Sequence, residues 1–185
     1  TLKSESEKNF KYSNFGFSTL NRLELVYDAI HKNPAIRFND LMRETKLKNG
    51  TLTHYINRLN DLKRIKIERT PRITRFYDQI IPQNEAIICK YLTRPTIKHI
   101  IGLLLKEGTL SHIEIGNRLK KSSATVSVCL SELFDNKIIE KTYDIPSNKY
   151  SLVNPKFIQQ VVNTHFPLFL KILDYDTIRS FISTR

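Results

Sequence analysis

The sequence predicts a mainly α protein with small β-hairpins, built as two tandem copies of one unit followed by C-terminal helices. Three observations carry this reading. Sliding the chain against itself by 74 residues sets apolar on apolar without a gap: Leu23 on Ile97, Ile30 on Leu104, Ile36 on Leu110, Leu41 on Ile115, Leu52 on Val126, Ile56 on Leu130, Leu59 on Leu133, Ile65 on Ile139 and Phe76 on Tyr150. Inside each copy the apolar residues recur at helical spacing and then switch to alternation. A length of 185 residues with 40% apolar side chains suits one ordinary domain or two small ones with a real core.

Residues 1–17 are polar, carry Lys3, Lys8 and Lys11, show no sustained period, and are expected to form an arm. Phe10, Tyr12, Phe15 and Phe17 within or beside it suit either stacking on bases or pinning the arm to a domain surface. The first copy occupies 18–78. Leu20, Leu23, Val26, Tyr27 and Ile30 predict a helix stopped by Asn33-Pro34, and a short helix follows near 38–46. Leu52, Ile56 and Leu59 predict a third helix that Asn49 is placed to cap. Ile65-Lys66-Ile67 and 73–77 then alternate around Thr70-Pro71-Arg72 as a hairpin with a basic tip.

Residues 79–94 read as a linker, and 95–154 as the second copy. Its first helix, 96–106, is stopped at Gly108; Ser111 and Glu114 form a capping box; Ser122 or Ser123 caps the third helix, whose stripe is Val126, Cys129, Leu130 and Leu133. Its hairpin starts at Ile139-Glu140-Lys141 and turns through 145–148. Phe157, Ile158, Val161 and Val162, then Phe169, Ile172, Leu173, Ile178, Phe181 and Ile182, predict two helices over 155–185 separated near Pro167. That much apolar surface on short terminal helices predicts a homodimer contact. Helix, short helix, helix and hairpin is the order of a winged helix-turn-helix domain, so two such domains in tandem are expected.

The stretch NPAIRFNDLMRETKLKNGTLTHYINRLNDLKRIKIERTPRITRFY resembles the winged helix-turn-helix core of archaeal transcription regulators of the broad MarR/ArsR-like group. The most specific part runs from Ile36 to Leu59, with a turn at Lys46-Leu47-Lys48 and the run Asn49-Gly50-Thr51-Leu52-Thr53-His54; Ser111 to Leu133 matches more weakly. The resemblance implies a double-stranded DNA-binding regulator, often dimeric. Two departures stand out. Such domains carry glycine where the third helix turns into the wing, whereas this chain has Lys63 and Lys137, and the second copy lacks the basic wing of the first.

In this motif the third helix, 49–62, enters the major groove while the wing, 66–77, holds backbone or minor groove. The outward positions of the first copy are Asn49, Gly50, Thr51, Thr53, His54, Asn57 and Arg58. Asn57 has the donor–acceptor pair for adenine, Arg58 the fork for guanine, and the Thr51 or Thr53 methyl suits thymine. From Lys46 to Tyr77, Lys46, Lys48, Arg58, Lys63, Arg64, Lys66, Arg69, Arg72 and Arg75 face only Asp61 and Glu68, the densest positive stretch of the chain. In the second copy Lys120 and Lys121, beside Ser123, Thr125 and Ser127, suit phosphate, but acidic residues nearly balance the basic ones there. Val128 occupies a position where a polar reader is expected, so protein contact suits that face as well as DNA.

A charge of +12 and a pI near 9.7 fit a polyanionic partner. Five glycines form neither nucleotide-binding loop, and the five histidines fall in no metalloprotease or other catalytic spacing, so no enzyme, cofactor, metal or small-molecule ligand is expected. Cys89 and Cys129 form no paired motif and are expected as buried thiols. With no apolar run of membrane length and a polar start, a cytoplasmic, nucleoid-associated protein without a membrane partner is expected. The competing reading is a winged helix scaffold that binds proteins.

Overall fold

A computed structural model describes residues 21–144 and 147–169. The fold is mainly helical with two small antiparallel sheets, consistent with winged-helix folds, and it divides into two compact units between Ala86 and Ile87.

In the first unit, helix α1 covers 21–32 and buries Leu23, Val26, Ala29 and Ile30. It stops ahead of Pro34, which disfavours helical geometry in the residue before it. The freed Asn33 side chain donates back to the Ala29 carbonyl at 3.0 Å. Strand β1 (Ile36–Arg37) leads into α2 (Phe38–Thr45), α3 (Asn49–Asp61), β2 (Ile65–Arg69) and β3 (Thr74–Asp78). The sheet order is β1-β3-β2, with Ile36 opposite Phe76 and Ile67 opposite the same residue on the other edge. Leu41, Leu52, Tyr55, Ile56, Leu59, Ile65 and Phe76 close the core against α1.

Helix α4 (Gln83–Leu92) spans the division, and the second unit continues with α5 (Pro95–Glu107), β4 (Leu110–Ser111), α6 (His112–Leu119), α7 (Ser123–Asp135), β5 (Ile139–Thr142), β6 (Lys149–Leu152) and α8 (Pro155–His165). Its sheet order, β4-β6-β5, repeats that of the first, and Leu110 pairs Tyr150 as Ile36 pairs Phe76. The backbone follows the 74-residue offset even at its turns. Arg64 N–H donates to the Leu59 carbonyl at 2.9 Å and Ile138 N–H to the Leu133 carbonyl at 3.0 Å; Gln79 donates to Arg64 and Val153 to Ile138.

Four lysines close this frame in the left-handed conformation: Lys46 and Lys120 after the second helix of each unit, Lys63 and Lys137 after the third, with φ of 56°, 51°, 54° and 55°. Where glycine was expected before the wing, lysine takes the strained conformation itself, held at Lys63 and Lys137 by the double carbonyl contact of a Schellman turn.

Several expectations change. The linker at 79–94 contains α4, because Ala86, Ile88, Cys89, Tyr91 and Leu92 supply a buried face. Asn49 is the first helical residue rather than the cap; Lys48 holds that position without a side-chain bond, and Asn49 Oδ1 accepts from Thr53 instead. In the second unit the capping box at Ser111 and Glu114, the Ser122 cap and the Gly108 stop are all present. Of the C-terminal helices, α8 already buries Ile158, Val161 and Val162, so these side chains form no free dimer surface. The arm at 1–17, Leu20, the turn positions 145 and 146, and the second C-terminal helix beyond Phe169 lie outside the described residues.

Candidate nucleic-acid interface

The α2-turn-α3 segment is positioned by its apolar side. Leu41, Leu52, Tyr55, Ile56 and Leu59 are buried, Leu47 in the turn packs against them, and Thr45 Oγ1 donates to the Leu41 carbonyl at 2.8 Å. That leaves Asn49, Gly50, Thr53, His54, Asn57 and Arg58 exposed on one side of α3, with Thr51 half-buried at its margin. A Cβ placed on Gly50 would meet nothing within 4 Å, so glycine there answers no internal packing need. The face offers amide, hydroxyl, imidazole and guanidinium groups, a set able to hydrogen-bond base edges.

The cations divide into two groups. Lys46, Lys48, Arg58, Lys63, Arg69 and Arg72 are exposed. A tight turn in which Thr70 N–H donates to the Ile73 carbonyl at 2.9 Å and Thr70 Oγ1 also donates to it presents Pro71 and Arg72 at the hairpin tip. Arg64, Lys66 and Arg75 are instead engaged inside the unit. Arg64 stacks 3.8 Å from the Tyr27 ring centre and grips both Glu24 carboxylate oxygens, at 2.5 and 3.0 Å. Lys66 Nζ donates to the Ile81 carbonyl at 2.6 Å.

Arg75 overturns the expectation placed on it. Only 5% exposed, it donates to the Ala35 carbonyl at 3.1 Å. In β3, which is buried on both faces from Arg75 to Asp78, it lies opposite Arg37 on one edge and Glu68 on the other, and the Ala35 turn, with φ 66°, brings a carbonyl to it. It belongs to the core rather than to a contact surface.

A buried polar network ties α1 to the base of the hairpin, and sequence reasoning missed it. Asp78, 1% exposed, accepts from Tyr27 Oη at 2.8 Å and the Ile80 N–H at 3.0 Å, and its Oδ2 lies 2.6 Å from His31 Nδ1. Burial raises the Asp78 pKa, but the Ile80, His31 and Tyr27 hydrogen bonds outweigh it and hold the carboxyl below its ordinary range. The hydrogen bond to Asp78 pushes the Tyr27 phenol up, and the Arg64 guanidinium holds Glu24 down. The signal in the sequence was slight, an acidic residue at the end of the strand Thr74–Asp78.

The equivalent face of the second unit is chemically different. Lys120, Lys121, Ser123 and Thr125 are exposed around the start of α7, but Thr125 Oγ1 is paired with Ser122 Oγ at 2.9 Å and Ser127 Oγ with His112 Nε2 at 3.0 Å. At the 74-residue offset, His54 becomes Val128, Arg58 becomes Glu132, Asn60 becomes Phe134 and Arg69 becomes Tyr143. Val128 is 65% exposed, and Glu132 is bound by Arg94.

Among the described residues, no cluster of three metal-binding side chains occurs and no helix is long and apolar enough to cross a membrane. No protein-family model matches the chain, and no curated protein matches it. Solved structures with local likeness include reduced HlyU from Vibrio cholerae, at 21% identity and TM-score 0.38 over 45% of this chain and 90% of that one. ZitR from Lactococcus lactis, in complex with DNA, matches at 23% identity and TM-score 0.35 over 48% of this chain and 70% of that one. The zinc-dependent MarR family transcriptional regulator AdcR, in its Zn(II)-bound state, matches at 18% identity and TM-score 0.33 over 74% of this chain and 90% of that one.

Proposed function

We propose that the protein is a double-stranded DNA-binding transcription regulator built from two tandem winged helix-turn-helix domains, with the first as its reader. One observation carries this: an exposed polar face of α3, including Asn49, Gly50, Thr53, His54, Asn57 and Arg58, is bracketed by the exposed cations Lys46 and Lys48 on one side and Lys63, Arg69 and Arg72 on the other. α3 enters the major groove, Asn57 and Arg58 read base edges, and the hairpin tip holds phosphate or the minor groove through Arg72. Lys120 and Lys121 add phosphate contacts at most, since the hydroxyls of Thr125 and Ser127 are committed within the chain. The protein acts as a homodimer, so that two first units engage one duplex.

Fluorescence anisotropy with a random-sequence duplex at 50 and 200 mM salt tests it. Six contacted phosphates give a log–log salt slope of about −5. Selection of bound sequences from a random pool then separates a regulator from a nonspecific binder. Binding that ignores salt, or no binding at all, rejects the reading in favour of a protein-binding scaffold, which the exposed Val128 and Phe134 of the second unit would suit.

A further inference from the structure

Tyr27 holds both legs of the first hairpin against α1. Its ring lies 3.8 Å from the guanidinium of Arg64, the residue before β2, and its hydroxyl donates to Asp78, the residue that ends β3. Glu24, one turn earlier on α1, grips Arg64 through both carboxylate oxygens, and His31, one turn later, meets Asp78. These bonds converge where Ile65 pairs with Asp78, at the base of two strands whose far end carries Arg69 and Arg72. The second unit closes the same frame differently. At the 74-residue offset Tyr27 becomes Ile101, His31 becomes Leu105, Arg64 becomes Ile138 and Asp78 becomes Leu152, and Ile101, Ile138 and Leu152 are buried. The unit that lacks the polar set also lacks the cations, since Tyr143 and Pro146 stand in its sequence where the first hairpin has Arg69 and Arg72.

We propose that Tyr27, Arg64 and Asp78 are positioning residues: with Glu24 and His31 they form a clasp that sets the angle of the hairpin to α3, so that Arg69 and Arg72 meet the duplex that α3 reads. Folding alone does not account for the clasp. Replacing a buried polar network by hydrocarbon of similar volume is often neutral or stabilising, and the second unit keeps the sheet order and the turns of the first with its apolar set. Direction is what the polar set adds. The two-pronged pair of Arg64 with Glu24 and the bonds to Asp78 hold only over a limited range of angles, whereas apolar contacts are non-directional. α3 is seated independently, through Leu52, Ile56 and Leu59 in the core. The angle between helix and hairpin is therefore what the clasp controls, and a duplex needs it fixed because groove reading and backbone grip are made at once. The inference rests on the proposed function for the use of that angle, not for the angle itself.

The full chain carrying Tyr27→Ile, His31→Leu, Arg64→Ile and Asp78→Leu together tests the clasp; Glu24, whose side chain is half-exposed, stays. The expected protein has the parent's circular dichroism spectrum and melts within about 5 °C of it. It binds a random-sequence duplex about tenfold more weakly, with the log–log salt slope reduced by about 1.8 as two cation contacts are lost. In an Arg69→Ala, Arg72→Ala background the exchange costs less than about twofold more, because the contacts it misplaces are already gone. Spin labels on His54→Cys and Arg72→Cys read the angle without DNA, Cys89 and Cys129 being buried, and the exchange broadens the distribution of distances between them. Parent-like affinity, losses that multiply with those of the Arg69 and Arg72 variants, or an unchanged distance distribution overturns the proposal. Should the fourfold exchange not fold, Tyr27→Phe decides, since it keeps the ring beside Arg64 and removes one bond to Asp78: a broadened distribution upholds the clasp and an unchanged one rejects it. A broadened distribution in a protein whose parent binds no duplex upholds the clasp and rejects the DNA reading.

Discussion

Replacing Arg72 and Arg75 one at a time separates a contact residue from a core residue that the sequence alone places together. Arg75→Ala removes a guanidinium that donates to the Ala35 carbonyl at 3.1 Å from a site only 5% exposed. A hydrogen bond from a charged donor is worth about 1.5–3 kcal/mol, and its loss leaves the carbonyl buried without that donor. The loss of packing along the arginine stem adds to this. Stability should fall by about 2–3 kcal/mol, which for a unit of this size lowers Tm by about 10–20 °C. Arg72→Ala, at the exposed tip, should leave stability within about 0.5 kcal/mol of the parent. It should reduce the salt slope of duplex binding by about 0.9, so that the variant's deficit shrinks about 3.5-fold between 50 and 200 mM salt. Calorimetric melting and anisotropy titrations on the same preparations give both quantities. An Arg75→Ala protein that melts with the parent but loses salt slope, or an Arg72→Ala protein with the slope intact, would refute the division between the two arginines.

Gly50→Ala should raise stability by about 0.5 kcal/mol, because alanine is the better helix residue and nothing lies within 4 Å of the added Cβ, yet weaken duplex binding severalfold by blocking close approach of the α3 backbone; thermal melting and anisotropy report the two opposite changes. Lys63→Gly and Lys137→Gly should each stabilise the chain by about 1 kcal/mol in urea titrations by relieving the left-handed strain, whereas Lys63→Ala, which keeps the Cβ, should not. Asp78 has a folded pKa below its ordinary 3.8, so the unfolded chain takes up the proton first on acidification. Its contribution is therefore complete above that value and is lost as pH falls through the folded pKa. Asp78→Asn should cost about 2–3 kcal/mol at pH 7 and flatten the acid limb of a stability profile measured by urea unfolding. Ser111→Ala should cost about 1 kcal/mol in the same assay by removing the capping box.

The core positions were legible because core side chains obey fixed spacings: Leu41, Leu52, Ile56, Leu59 and Ile65 are buried, as are Ile115, Val126, Leu130, Leu133 and Ile139, 74 residues later. The caps at Ser111, Ser122 and Gly108 were legible for a similar reason, since each depends on a residue and its near neighbours. Helix α4 was not, because NEAIICKYL is apolar on more than one side and shows no clean amphipathic stripe. Nor were the fates of Arg64, Lys66 and Arg75. A cation's charge is written in the sequence, but whether it meets solvent depends on Glu24, Ile81 or Ala35, each more than a dozen residues away. The outward residues of α3 could be read from the helix period once Leu52, Ile56 and Leu59 were taken as inward; Tyr55, buried beside them, could not, since its phenol gives no sign of which way it turns.

The unbroken 74-residue frame has an engineering consequence. Elements α3 and α7 have the same length, begin after the same left-handed lysine and end in the same lysine-closed turn, so their solvent-facing letters form a separate alphabet from their buried ones. Writing Val128→His, Glu132→Arg and Phe134→Asn into α7 transplants three outward residues of α3 without touching Val126, Cys129, Leu130 or Leu133. The graft needs no insertion, no loop redesign and no change of register. It breaks one internal bond, that between Arg94 and Glu132, and this pair is where the exchange of parts would have to be repaired first.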